Sequence, residues 1–139
     1  VQSAFVGAHV KQEMVSTTCS KFVSDGSFWN CYGYGSVTPS TKAFLVTHVG
    51  CRGFAYASAV NYTQVDLRRG STAANRTDYL TFGLTRTLAL PGFVFQSANQ
   101  PMEFVVPAGQ RAYVDGTVIG TGISSATLTC TFTGRLITP

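Results

Sequence analysis

Charge is scarce in this chain: Asp, Glu, Lys and Arg make up only 12% of its 139 residues, about half the usual share of roughly 25%. Ten basic and six acidic residues leave a net charge of +4, and no block of like charge exceeds Arg68-Arg69. Nucleic-acid binding needs a basic stripe, so a nucleic-acid partner is not expected. Long apolar runs are missing as well. None approaches the roughly 20 residues of a membrane-spanning helix, so no membrane span is expected. The two histidines, His9 and His48, stand apart, and none of the four cysteines forms a Cys-x-x-Cys pair. Zinc sites come as closely spaced ligand pairs, so neither a metal nor any other cofactor is expected. No sustained helical period, internal repeat or linker interrupts the chain, which reads as one domain over residues 1–139.

Catalytic patterns are equally sparse. Neither histidine belongs to a Gly-x-Ser-x-Gly elbow, and His48 shares the parity of Phe44 and Val46, as a packed or interface histidine would. Glycoside hydrolysis needs two carboxylates facing one sugar ring. The six acids are Glu13, Asp25, Asp66, Asp78, Glu103 and Asp115. Asp25 and Asp115 read as Asp-Gly turn residues, and Asp66 as a partner for a nearby basic group. The chain is therefore not expected to be an enzyme and has no candidate catalytic residue; a small secreted hydrolase ranks last among the readings.

What is present is alternation. In Ser125–Ile137, Ala126, Leu128, Cys130, Phe132 and Leu136 share one parity, and Thr127, Thr129, Thr131, Thr133 and Arg135 share the other. Such a pattern marks a strand with one dry and one wet face, and threonine suits a pleated surface. Strand patterns recur along the chain at 3–10, 19–23, 27–34, 43–49, 54–61, 63–68, 79–84, 88–90, 93–95, 101–106 and 110–114. The 43–49 run is continuous enough to predict a central strand covered on both faces. Asp25-Gly26, Pro91-Gly92, Pro107-Ala108-Gly109 and Asp115-Gly116 read as turns, Gly50 and Gly53 as a bulge or tight connection around Cys51, and 70–77 as a polar surface loop with room for one helical turn. About eight to ten strands at this spacing predict an all-β antiparallel sandwich, jelly-roll-like in outline. The pattern broadly resembles jelly-roll and tumour-necrosis-factor-like sandwiches of virion proteins and secreted oligomers, a fold-level analogy without a diagnostic motif.

An even cysteine count in a small β chain favours two disulfides and an oxidising compartment. Of the three connectivities, Cys19–Cys31 closing a short hairpin and Cys51–Cys130 joining a middle strand to the last one are preferred; a buried thiol at Cys130 is the alternative. Val1 follows no basic-plus-apolar leader and reads as an end exposed by processing or trimming. Asn61-Tyr62-Thr63 and Asn75-Arg76-Thr77 match the N-glycosylation pattern.

Two functions fit these features. The first is a non-enzymatic structural module, extracellular or on a virion surface, that packs against copies of itself as an oligomer or filament. Its contacts would be Arg111 and Tyr113 beside the Pro-Ala-Gly turn, and Thr129 and Thr131 on the threonine face, where hydroxyls are cheaper to dehydrate than charges. The second is a secreted, lectin-like carbohydrate-binding module. The densest aromatic cluster, Phe28 to Tyr34, would supply Trp29, Tyr32 and Tyr34 for stacking and Asn30 for hydrogen bonds.

Overall fold

The computed structural model describes residues 10–24 and 26–138. The strand expected at 3–10 therefore lies outside the described residues but for Val10, as do His9 and Asp25. Ten strands follow in order: β1 (Val10–Thr18), β2 (Ser20–Lys21), β3 (Phe28–Tyr34), β4 (Ala43–Tyr56), β5 (Ala59–Gly70), β6 (Thr77–Gly83), β7 (Thr85–Leu90), β8 (Phe93–Val106), β9 (Arg111–Thr121) and β10 (Ser125–Ile137). A 3-10 turn, Ala73–Asn75, sits in the polar loop before β6.

The strands form two five-stranded sheets, ordered β1-β10-β4-β8-β7 and β2-β3-β9-β5-β6. Every pairing is antiparallel. The pairs β1·β10, β3·β9, β4·β8 and β5·β6 are nested, like the two arms of one long hairpin with its tip between β5 and β6. Wrapping that ribbon brings β10 beside β4 and β9 beside β5, and this makes the fold a jelly roll.

The inner faces meet around Phe44, Phe104, Phe132, Leu67, Leu128 and a set of valines, all fully buried. On β10 the expected alternation holds from Ala126 to Phe132: each apolar residue is buried and each threonine partly exposed. One polar pair crosses this core. Thr63 of β5 donates its hydroxyl to the side-chain carbonyl of Gln96 on β8, joining the two sheets through groups that are buried. A buried polar atom without such a partner would be destabilising, so each residue is needed by the other.

Both disulfides form as preferred. Cys51 and Cys130 are direct register partners on the adjacent strands β4 and β10. Cys19 lies where the chain passes from β1 in one sheet to β2 in the other, and it is bonded to Cys31 on β3. Two disulfides agree with an extracellular protein. No helix among the described residues is long and apolar enough to cross a membrane.

Three expectations need correction. Asp115-Gly116 is no turn but lies within β9. Gly116 faces inward, where a Cβ would stand 2.7 Å from Leu128 Cδ2 and 3.2 Å from Cys31 Cβ, so packing rather than a turn requires glycine there. Gly50 and Gly53 both lie inside the continuous strand β4, and the bulge is at Thr47: Val46 pairs with Gly134 and His48 with Thr133, leaving Thr47 as the extra residue. Finally, the 43–49 run is central but covered on one face only, since Thr47 is exposed and Leu45 and His48 are partly exposed, and the outward residues further along β4, Arg52, Phe54 and Tyr56, are exposed as well.

Candidate functional site

The bulge decides what the outer face of the first sheet carries. An extra residue in one strand inverts the alternation beyond it. Phe44 and Val46 point into the core, and so do Val49, Cys51 and Ala55, which puts His48, Gly50 and Arg52 outside. The expectation that His48 shares a face with Phe44 and Val46 is thereby corrected. The signal was legible in principle, because the buried-type residues change parity between Val46 and Val49.

Register then aligns polar residues in rows across four strands. Gln12 of β1 stands beside Thr133 of β10 and His48 of β4. The next row is Met14, Thr131, Gly50 and Asn99 of β8; the next is Ser16, Thr129, Arg52 and Ser97. These rows enclose an open groove of about 340 Å³, lined also by Phe95. Four strands at about 4.8 Å spacing make it roughly 14 Å across. Its floor is lowest at Gly50, where a side chain is missing: a Cβ there would approach Asn99 Oδ1 to 2.9 Å.

The groove's polar groups are mostly uncommitted. Ser16 and Thr129 share a hydroxyl hydrogen bond of 2.9 Å, and Ser97 bonds Thr87 at 2.7 Å. Among the described residues, the side chains of Gln12, His48, Arg52, Asn99, Thr131 and Thr133 make no hydrogen bond or ion pair. Among the described residues, no Asp or Glu lines the groove.

Further along the same face the character changes. Phe54 and Tyr56 of β4 pack on Phe93 of β8, at ring separations of 5.9 and 5.5 Å. Leu88 and Leu90 of β7 pair with Phe95 and Phe93. Tyr56 and Leu90 remain 54% and 55% exposed, so an apolar patch adjoins the polar groove.

The outer face of the second sheet holds most of the residues singled out by sequence. Tyr32 and Tyr34 are exposed, and both rings pack on Tyr113, at 6.2 and 6.0 Å. Tyr113, expected at a subunit contact, is instead 3% exposed beneath them. Arg76, at the end of the polar loop, lies 5.2 Å over Tyr32 and donates two hydrogen bonds to Asp115, at 2.9 and 3.2 Å. Arg111 stacks 4.8 Å over Tyr34, and its buried Nε has no hydrogen-bond partner. Arg68 reaches Asp66, Asp78 and Asp115. Burial, with Tyr113 alongside, pushes the Tyr32 phenol up from its ordinary pKa, and the hydrogen bond to Asp115 does the same for the Arg76 guanidinium. Within this cluster Asp66, Asp78 and Asp115 are met by Arg68 and Arg76, as expected for Asp66.

Trp29 does not belong to it. The residue is 7% exposed, packs in the core, and donates its indole N–H to the Gly26 carbonyl at 3.0 Å. Alternation explains the difference: Trp29, Cys31 and Gly33 point inward, while Asn30, Tyr32 and Tyr34 point out. The lectin-like quartet is therefore split, with Asn30, Tyr32 and Tyr34 outside. Thr129 and Thr131 also stand apart from Arg111 and Tyr113, on the opposite sheet, where they line the groove. Sequence reasoning gave no binding role to Gln12, Arg52, Phe95, Ser97 or Asn99 and read His48 as a packed or interface histidine and Gly50 as part of a bulge; only strand pairing brings the seven together.

No family model matches the chain, and no curated protein does. Several solved structures are similar in outline. The family 3a carbohydrate-binding module from the cipA scaffolding of Clostridium thermocellum is 10% identical, with a TM-score of 0.40 over 78% of this chain and 75% of that one. The Eiger TNF of S. frugiperda is 11% identical, with a TM-score of 0.36 over 86% and 92%. TmCBM61, solved with β-1,4-galactotriose, is 10% identical, with a TM-score of 0.34 over 94% and 88%. Likeness at this level carries no argument about function.

Proposed function

We propose that the chain is a non-catalytic recognition module that binds a saccharide in the groove across the outer face of the first sheet. The observation that carries this reading is the set of six uncommitted polar side chains around one glycine floor. Binding clefts of about 300–1,000 Å³ with a few convergent polar groups suit small ligands, and this groove falls at the small end. Amides, hydroxyls, an imidazole and a guanidinium supply donors and acceptors for sugar hydroxyls, and Phe95 offers a ring beside them.

A panel of immobilised glycans tests this. The wild-type chain is expected to retain at least one glycan, and Gly50→Val to lose it by tenfold or more. The valine fills the floor, yet its Cβ meets only side-chain ends, the movable Asn99 Oδ1 at 2.9 Å and His48 Cε1 at 3.9 Å, and β-branched residues suit a strand. Thermal stability is therefore expected to be retained. A panel on which the wild type binds nothing would remove the reading.

The apolar patch favours a second reading: an extracellular or virion-surface subunit that self-associates. Phe54, Tyr56, Leu88 and Leu90 are exposed side by side, and such patches mark contact surfaces. Light scattering is expected to give a multimer that Leu90→Lys dissociates. A monomer at high protein concentration counts against it.

A further inference from the structure

We propose that the saccharide in this groove is acidic, with its carboxylate lying over Gly50 between the guanidinium of Arg52 and the imidazole of His48. This rests on the saccharide reading above and names the class of sugar. His48 and Arg52 lie on β4 two residues either side of Gly50, on the same outward face. They form the two walls of the lowest part of the floor. Asn99 and Thr131, the register partners of Gly50, close the other two sides with an amide and a hydroxyl. An anion over the glycine would thus meet hydrogen-bond donors from His48, Arg52 and Thr131, one of them permanently charged, and from Asn99 once its amide turns to present the NH2 in place of the Oδ1 that faces Gly50.

The accounting of charge supports the same ligand. Arg68 and Arg76 are neutralised by Asp66, Asp78 and Asp115 on the second sheet. Arg69 donates to the Val105 carbonyl, and Arg111 rests on Tyr34. Glu13 is engaged by the Ser36 amide and hydroxyl at the far edge of β1. Among the described residues, Arg52 has no ion pair, and the groove holds no acid to compensate it. Arg135, exposed and two residues beyond Thr133 on the same strand face, adds a second cation near the His48 end. Of the five acids among the described residues, Asp66, Asp78 and Asp115 lie on the second sheet and Glu13 and Glu103 on β1 and β8 of the first; none of them lines the groove, which carries the cation of Arg52. A net charge of +4 attracts an acidic ligand from a distance as well.

The test uses the folded, oxidised chain on a panel in which each carboxylated glycan is paired with its carboxyl-reduced counterpart, alongside sulfated glycans. Carboxylated glycans are expected to bind at least tenfold more tightly than their reduced partners, since a charge-assisted contact is worth about twice a neutral one. Arg52→Gln is expected to weaken the carboxylated glycans by tenfold or more and their reduced counterparts, which lose only a contact to a hydroxyl, by a clearly smaller factor, so that the difference between the two closes. Equal binding of carboxylated and reduced glycans, or equal weakening of both by Arg52→Gln, overturns the proposal and leaves the saccharide reading standing. Preference for sulfated over carboxylated glycans overturns the assignment to a carboxylate. A wild-type chain that binds no glycan removes both readings, and inorganic sulfate competing as well as any acidic glycan shows an anion site without a sugar.

Discussion

Replacing Cys51 and Cys130 together by alanine is expected to lower stability by about 4.5 kcal/mol, because the disulfide closes most of the chain into one loop in the unfolded state. The two cysteines are 79 residues apart in sequence. The loss of unfolded-chain entropy on cross-linking grows with the logarithm of loop length, and this separation lies near the long end of that dependence. For a domain of this size the thermal midpoint should fall by roughly 15 °C. The second disulfide provides the internal comparison. Cys19 and Cys31 are only 12 residues apart, and the same reasoning gives about 2.8 kcal/mol for their replacement. Calorimetry of the two double variants under non-reducing conditions measures both. The loop-length account fails if the Cys19/Cys31 variant is the less stable of the two.

Phe132→Ala is expected to cost about 3–5 kcal/mol, the range for truncating a fully buried phenylalanine. Phe132 has no exposed surface, and its strand is flanked by β1 and β4, so the cavity left behind cannot collapse without moving three paired strands. Phe54→Ala is the control. Phe54 lies on β4, the neighbouring strand, but on its outer face, where it is 39% exposed and touches Phe93. Its truncation should cost well under half as much, since surface substitutions generally fall within about 0.5 kcal/mol. Urea unfolding should show a large shift of midpoint for Phe132→Ala with an unchanged slope. Equal losses from the two variants would mean that the inner and outer faces of the first sheet are assigned wrongly.

The contrast between these phenylalanines also shows what can be read from a β sequence. β10 was legible because its alternation runs without interruption from Ala126 to Phe132, and its outward residues are threonines that fit a partly exposed pleated surface. The disulfides were legible because a hairpin-sized spacing and a long spacing each matched a strand pairing. Trp29 was placed among exposed aromatics because a cluster of four aromatic residues looks alike whichever parity faces inward. Register with β9 decides it, and register is a property of two strands together. At Asp115-Gly116 a good turn pair was overridden by its surroundings, with Gly116 packed against Leu128 and Cys31 while Asp115 accepts from Arg76 on the opposite face.

By itself, then, the sequence determined the all-β class, the antiparallel sandwich, the strand with one threonine face and the preferred cysteine pairs. The class, the sandwich and the threonine face follow from local period, where physical preferences act between near neighbours; the cysteine pairs, 12 and 79 residues apart, were a preference among three connectivities that strand pairing realised. The groove came only from tertiary structure. Its residues lie on β1, β4, β8 and β10, and their meeting depends on how the long hairpin is wrapped. One extra residue at Thr47 turns His48, Gly50 and Arg52 outward, and no pattern within those three residues records that choice. It is made where β4 meets β10, because burying Phe44 and Val46 on one side of the bulge and Val49 and Cys51 on the other satisfies both halves of the core.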